Sequence, residues 1–125
     1  METVFIEATI DSPSILMDFS NTLLKIEGAS YPENSQNFYN PVIEWLNKLD
    51  SAAIPKLKCE FFFTYINSSS KKVVFELLQH LEKTQLRGIT MGVKWRYEDY
   101  DEDMYDVGKE FSDLIKIPFE FIANS

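Results

Sequence analysis

Leu57-Lys58-Cys59-Glu60-Phe61-Phe62-Phe63-Thr64-Tyr65-Ile66-Asn67-Ser68-Ser69-Ser70-Lys71-Lys72 is the segment on which the fold turns. Leu57, Cys59, Phe61, Phe63 and Tyr65 alternate with Lys56, Lys58, Glu60, Phe62 and Thr64, the period of two that marks a strand. Around Phe61 to Phe63 the pattern becomes apolar on both sides, which predicts an interior strand covered on both faces. Past Lys72 the period changes. Val74, Leu77, Leu78 and Leu81 fall at i, i+3, i+4 and i+7 and predict an amphipathic helix, with Gly88 just beyond its end as a C-cap. A strand, a hydroxyl-rich loop and a helix in this order make a β–α unit.

Toward the N-terminus the readings are strands. Val4 to Thr9 is a short apolar segment. Ile15, Met17 and Phe19 alternate with Ser14, Leu16 and Asp18. Ser20-Asn21-Thr22 is a turn, after which Leu24 and Ile26 alternate with Lys25 and Glu27 as far as Gly28. Ala29 to Asn40 reads as a loop. Asn40 then suits an N-cap and Pro41 a first helical position, followed by Val42, Trp45, Leu46 and Leu49 on one apolar face. Toward the C-terminus, Met91, Val93, Trp95 and Tyr97 mark a strand from about Thr90 to Tyr97. The acidic loop Glu98-Asp99-Tyr100-Asp101-Glu102-Asp103 comes next. Met104, Val107, Phe111 and Leu114 mark a last helix stopped before Pro118, and Phe119 to Ile122 a closing strand. The order β-β-β-α-β-α-β-α-β predicts an α/β domain whose mixed sheet is antiparallel at its N-terminal end and parallel in its second half.

The chain has 125 residues, within the range of one domain, read as 1–125. Ten Phe, six Tyr and two Trp in a 45% apolar composition suffice for one core. Twenty acidic residues against 12 basic ones give a net charge of −8, which argues against nucleic acid as a partner because phosphate backbones need excess Lys and Arg. Cys59 is the single cysteine, so an internal disulfide framework is excluded and a reducing compartment is expected. Glu2 and Glu7 stand where a signal peptide would be basic, and no apolar run reaches bilayer length. A cytoplasmic protein without membrane insertion is the expectation.

Little supports catalysis. His80 is the lone histidine and shares a helix face with Glu76 and Lys83. Cys59 lies in a strand interior with no neighbour to lower its pKa, and the four glycines form no phosphate loop. Asp99, Asp101, Asp103 and Glu110 match calcium-loop spacing, but Met104 stands where the sharp turn needs Gly. No metal or cofactor is expected. Glu102 and Asp103 suit the positive end of the last helix or an acidic surface for a basic partner. Ser68, Ser69 and Ser70 have two readings. They can cap the helix, or one of them can carry a phosphate received by first-turn N–H groups with Lys71 and Lys72 nearby.

Three stretches carry a family resemblance. The first is Ser30-Tyr31-Pro32-Glu33-Asn34 with Phe38-Tyr39-x-Pro41 and Trp45-Leu46. The second is Tyr65-x-Asn67-Ser68-Ser69-Ser70-Lys71. The third is Val93-x-Trp95-x-Tyr97-Glu98, with Asp101-Glu102-Asp103-Met104, Gly108, Glu110-Phe111 and Pro118-Phe119-Glu120. In this order they resemble the SiaC family of bacterial regulatory phosphoproteins. The resemblance implies a STAS-like, anti-sigma-factor-antagonist-like adaptor that is not an enzyme. It further implies a SiaB-type serine/threonine kinase, a SiaA-type metal-dependent phosphatase, and a diguanylate cyclase that the unphosphorylated form binds and stimulates. Such an adaptor raises cyclic di-GMP and promotes biofilm. The family acceptor is the hydroxyl residue after Asn, which matches Ser68, with Ser69 as the fallback because Ser replaces the family's Thr. Partner contacts are then expected at Tyr65, Asn67, Ser68, Ser69, Ser70 and Lys71, and at Tyr97, Asp101, Glu102 and Asp103. The alternative is a non-switching interaction module built on the aromatic and acidic surface of Tyr31, Tyr97, Tyr100 and Tyr105.

Overall fold

A computed structural model describes residues 2–125; Met1, the first residue of the expected domain, lies outside the described residues. Six strands form one sheet in chain order: β1 (Val4–Ile6), β2 (Ser14–Asp18), β3 (Leu23–Ser30), β4 (Lys56–Ile66), β5 (Thr90–Glu98) and β6 (Phe119–Asn124). β1, β2 and β3 pair antiparallel, and β3 through β6 pair parallel. The parallel joins need crossovers, supplied by α1 (Ser35–Asn47), α2 (Ser68–Gln85) and α3 (Glu102–Leu114). This is the mixed α/β sheet that the alternation of periods predicts.

All of the buried core lies on one side of the sheet. Ile15 and Met17, Leu24 and Ile26, Cys59 and Phe61, and Val93 and Trp95 form its floor. Val42, Leu46, Val74, Leu77, Leu78, Leu81, Met104 and Phe111 come down on it from the helices. The opposite face stays open, which corrects the expectation of a central strand covered on both sides. Phe62 is only half-buried there, and its neighbours are charged. Across that open face Lys25, Glu60, Lys94 and Glu120 stand in register on four successive strands. Alternating charge in place of a second apolar layer is what allows a largely parallel sheet to face water.

Three local expectations need revision. β3 runs on through Gly28 to Ser30, so the loop is shorter than expected. α1 begins six residues before the Asn40-Pro41 step. Asn34 is its N-cap and its side chain accepts from the Asn37 N–H at 3.0 Å, which leaves Pro41 inside the helix. Burial of Ser35 and Tyr39 on the face shared with Val42 and Leu46 outweighs the hydrogen bond that Pro41 cannot make. Tyr65 also leaves the inward alternation. One step along β3, Gly28 to Ala29, spans two steps along β4, Phe63 to Tyr65, so Thr64 is an unpaired extra residue. Such a bulge flips the residues beyond it. Tyr65 is accordingly 54% exposed, and Ile66 packs against the core instead. In α3, Leu114 is exposed while Ile115 and Ile117 beyond it are buried.

Candidate functional site

β3, β4 and β5 are parallel, so the segments that follow their C-terminal ends open on one edge of the sheet, where α/β sheets carry their functional groups. The hydroxyl stretch follows β4. Asn67, in extended backbone, is the N-cap of α2; its side chain accepts from the Ser70 N–H at 2.8 Å. A backbone bond from the Asn67 N–H to the Ser30 carbonyl, 3.0 Å, holds this turn against the end of β3. Because Asn67 does the capping, the three serine hydroxyls are free for other contacts.

Their surroundings differ. Ser70 is fully buried and accepts from the Ser30 hydroxyl at 2.9 Å, with the Ser35 hydroxyl 3.2 Å away. Ser30 also lies 2.6 Å from the Tyr39 hydroxyl. Burial pushes the Tyr39 phenol well above its ordinary pKa, and the Ser30 bond only partly opposes this, so the network is neutral at any physiological pH. Ser69 donates to Ser35 at 3.1 Å and joins the network from outside. Ser68, the first residue of α2, is exposed and takes no part in it.

Ser68 instead lines a groove of about 330 Å³ between α2 and α3, together with Lys71, Lys72, Phe75, Glu110, Phe111 and Leu114. Phe75 and Phe111 stack with centroids 6.0 Å apart to form its apolar floor. Lys71 Nζ crosses it to Glu110 Oε2 at 3.0 Å. Leu114, 67% exposed, stands at its rim.

The acidic loop follows β5. The Asp101 side chain accepts from the Met104 N–H at 3.1 Å and caps α3, while Glu102 and Asp103 occupy its exposed first turn at the positive end of the helix. Behind it, Trp95 Nε1–H donates to the Met104 carbonyl at 3.0 Å and fixes α3 to β5. Tyr97 meets Tyr105 edge-on at 5.2 Å, and Tyr100 is 80% exposed. The structure thus gathers Tyr65, Asn67, Ser68, Ser69 and Lys71 at the β4–α2 junction, with Tyr31 edge-on to Tyr65 at 5.6 Å, whereas Ser70, expected as a partner contact, is fully buried beneath them. Tyr97, Asp101, Glu102 and Asp103 form a second patch at the next strand end. Sequence reading missed Ser30, Ser35 and Tyr39 as neighbours of the serines, and Phe75 and Glu110 as walls of the groove. The spacing of Ser35, Tyr39, Val42 and Leu46 along one helix face was the available signal for the first group.

The chain is thus a one-sheet α/β domain that presents an exposed serine at a helix start, beside a lysine-edged apolar groove. Comparison with known proteins makes this specific. The profile of the SiaC family regulatory phosphoproteins matches residues 6–124, so the chain belongs to that family. A Pseudomonas aeruginosa (strain UCBPP-PA14) protein described as uncharacterized is 28% identical over 124 residues, 99% of this chain and 98% of the other. The crystal structure of apo-SiaC from P. aeruginosa superposes with a TM-score of 0.89 at 28% identity, covering 98% of this chain and 100% of that one. A crystal structure of the diguanylate cyclase SiaD in complex with its activator SiaC, from the same species, matches with a TM-score of 0.88 at 28% identity, covering 97% and 99%.

Proposed function

We propose that this chain is a phosphorylation-controlled partner-switching adaptor, one regulatory domain over 1–125, whose unphosphorylated form binds and stimulates a diguanylate cyclase. Family membership supports the regulatory role, and the similarity to SiaC, the activator of SiaD, supports a cyclase as target. The output is then cyclic di-GMP made in the cytoplasm, where this chain acts, and through it aggregation and biofilm growth. Within this scheme the chain is a substrate and regulator of enzymes, not a catalyst.

The observation that carries the reading is the separate environment of Ser68. Ser70 is sealed in a hydrogen-bonded network and Ser69 is tied to Ser35, whereas Ser68 is exposed beside Lys71 and Lys72. In a SiaB-type kinase the Ser68 Oγ attacks the γ-phosphorus of a nucleoside triphosphate. The Oγ–P bond forms, the bond to the β-phosphate oxygen breaks, the diphosphate leaves, and the hydroxyl proton passes to a kinase base. A SiaA-type metal-dependent phosphatase reverses the state by transferring the phosphoryl group to water. Phosphate adds about −1.5 to −2 charges at one spot of a surface formed by Tyr65, Asn67, Ser69 and Lys71, on a chain already at −8. The cyclase, contacting that surface and the Tyr97 and Asp101–Asp103 patch, is then repelled without any change of fold.

Peptide-level mass spectrometry of the protein from its native cells tests the acceptor: phosphate is expected on Ser68, and phosphate confined to Ser69 would refute the assignment. Titration against the cyclase tests the output. Ser68→Ala is expected to bind like the unmodified protein, and Ser68→Asp to bind at least about tenfold more weakly, roughly 1.4 kcal/mol. Equal affinities would sink the switch.

A further inference from the structure

We propose that the Lys71–Glu110 pair is a charge clasp across the α2–α3 groove, and that a phosphate on Ser68 opens it by drawing the Lys71 ammonium to itself. This rests on Ser68 being the acceptor and says how the modification reaches α3.

Ser68 and Lys71 are three residues apart on one helix, so their side chains share a face, and both line the groove. The clasp spans it at 3.0 Å, but both side chains are well hydrated, 40% and 62% exposed. Exposed pairs of this kind hold weakly. A phosphoserine offers nearly two charges and three strong acceptor oxygens within the reach of Lys71, against the single charge of a carboxylate on another helix. The lysine therefore changes partner. Glu110 is then left facing a phosphate, with Lys72, the other lysine lining the groove, mounted on the phosphate's own helix. The neighbouring lysine of α3, Lys109, lies over the Phe121 ring at 5.4 Å, away from the groove. Glu110 consequently swings out, and the rim of the Phe75–Phe111 floor changes from a neutral bridged pair to two separated centres, a phosphate–lysine pair and a bare carboxylate, both net negative.

The full chain carrying genetically encoded phosphoserine at position 68 provides the test, which is independent of any kinase. The second phosphate pKa, near 6 in a free phosphoserine, is followed by phosphorus NMR in the wild type, Lys71→Met and Lys72→Met. Lys71→Met is expected to raise it by about half a unit or more relative to the wild type, and by more than Lys72→Met does. The Glu110 side-chain carboxyl carbon resonance is expected to move on phosphorylation in the wild type and to stay put in Lys71→Met. An unchanged phosphate pKa in Lys71→Met overturns the proposal, and so does a Glu110 resonance indifferent to the phosphate. Absence of phosphate from Ser68 in native cells would instead remove the acceptor assignment, leaving these titrations unaffected, so the two failures are distinguishable.

Discussion

Ser70 and Ser69 are adjacent, chemically identical and both hydrogen-bonded, yet they contribute to stability very differently. Removing the Ser70 hydroxyl takes a buried partner from both Ser30 and Ser35, which keep only Tyr39 and Ser69 respectively, a loss of about 1–3 kcal/mol. Ser69→Ala gives up one half-exposed bond, worth less than about 0.5 kcal/mol. Urea denaturation of the two variants is expected to show this order, and equal midpoints would contradict it. Cys59 offers a second residue-scale test. Burial pushes its thiol from 9.0 up to about 12. The unfolded chain therefore ionises first, and the contribution of Cys59 to stability is complete below about pH 9 and declines as pH rises toward 12. Wild type is expected to lose stability relative to Cys59→Ala by up to about 1.4 kcal/mol per pH unit in that window; parallel curves would refute the account. The fate of each serine was not legible from residue types. It is decided by Ser30 and Ser35, which lie far from Ser70 in the chain and reach it only through the fold.

At the scale of elements, period did most of the work. The central strand and the α2 helix follow directly from Leu57–Phe63 and Val74–Leu81. Two features escaped it because neither is periodic. A bulge at Thr64 interrupts the alternation from within, so counting by twos past Phe63 assigns Tyr65 to the wrong side. The start of α1 was hidden because a proline suits a first turn better than a helix interior, while the favourable burial of Tyr39 is visible only once the helix is seated. α3 illustrates a tighter constraint. A Cβ at Gly108 would lie 2.4 Å from Trp95 Cδ1 and Nε1, so this helix approaches the sheet closer than any side chain permits. Gly108→Ala must push α3 off Trp95 and strain the bond to the Met104 carbonyl, a cost of about 1–3 kcal/mol despite the better helix propensity of Ala. A shift of the Trp95 indole proton resonance together with a lower melting temperature is expected, and a more stable variant would refute the close packing.

For the molecule as a whole, the proposed acceptor Ser68 stands at the start of a helix packed on the sheet. The Ser68 side chain is outside the core, and a carboxylate at this position faces the positive end of α2. Ser68→Asp is therefore expected to melt within a few degrees of the wild type, or slightly above it, by differential scanning calorimetry. A marked fall would mean that negative charge there acts by unfolding the domain and not by altering its surface. The element order and the mixed sheet were legible because strand and helix periods alternate cleanly along the chain. The bare outer face was not, since Phe61-Phe62-Phe63 reads as doubly buried until Lys25, Glu60 and Lys94 are seen side by side.

That row of charges also bears on how the chain avoids misassembly. Parallel strands can slide past one another, and a slide of two residues keeps every core side chain pointing inward, so the apolar layer alone discriminates poorly against it. If β3 slipped two residues toward the start of β4, Lys25 would stand opposite Lys58 and Glu27 opposite Glu60, where the native register has Lys25 opposite Glu60 and Glu27 opposite Phe62. Two attractive or neutral neighbours would become two repulsive ones. The open face of the sheet thus disfavours an off-by-two alignment that the apolar layer by itself would tolerate.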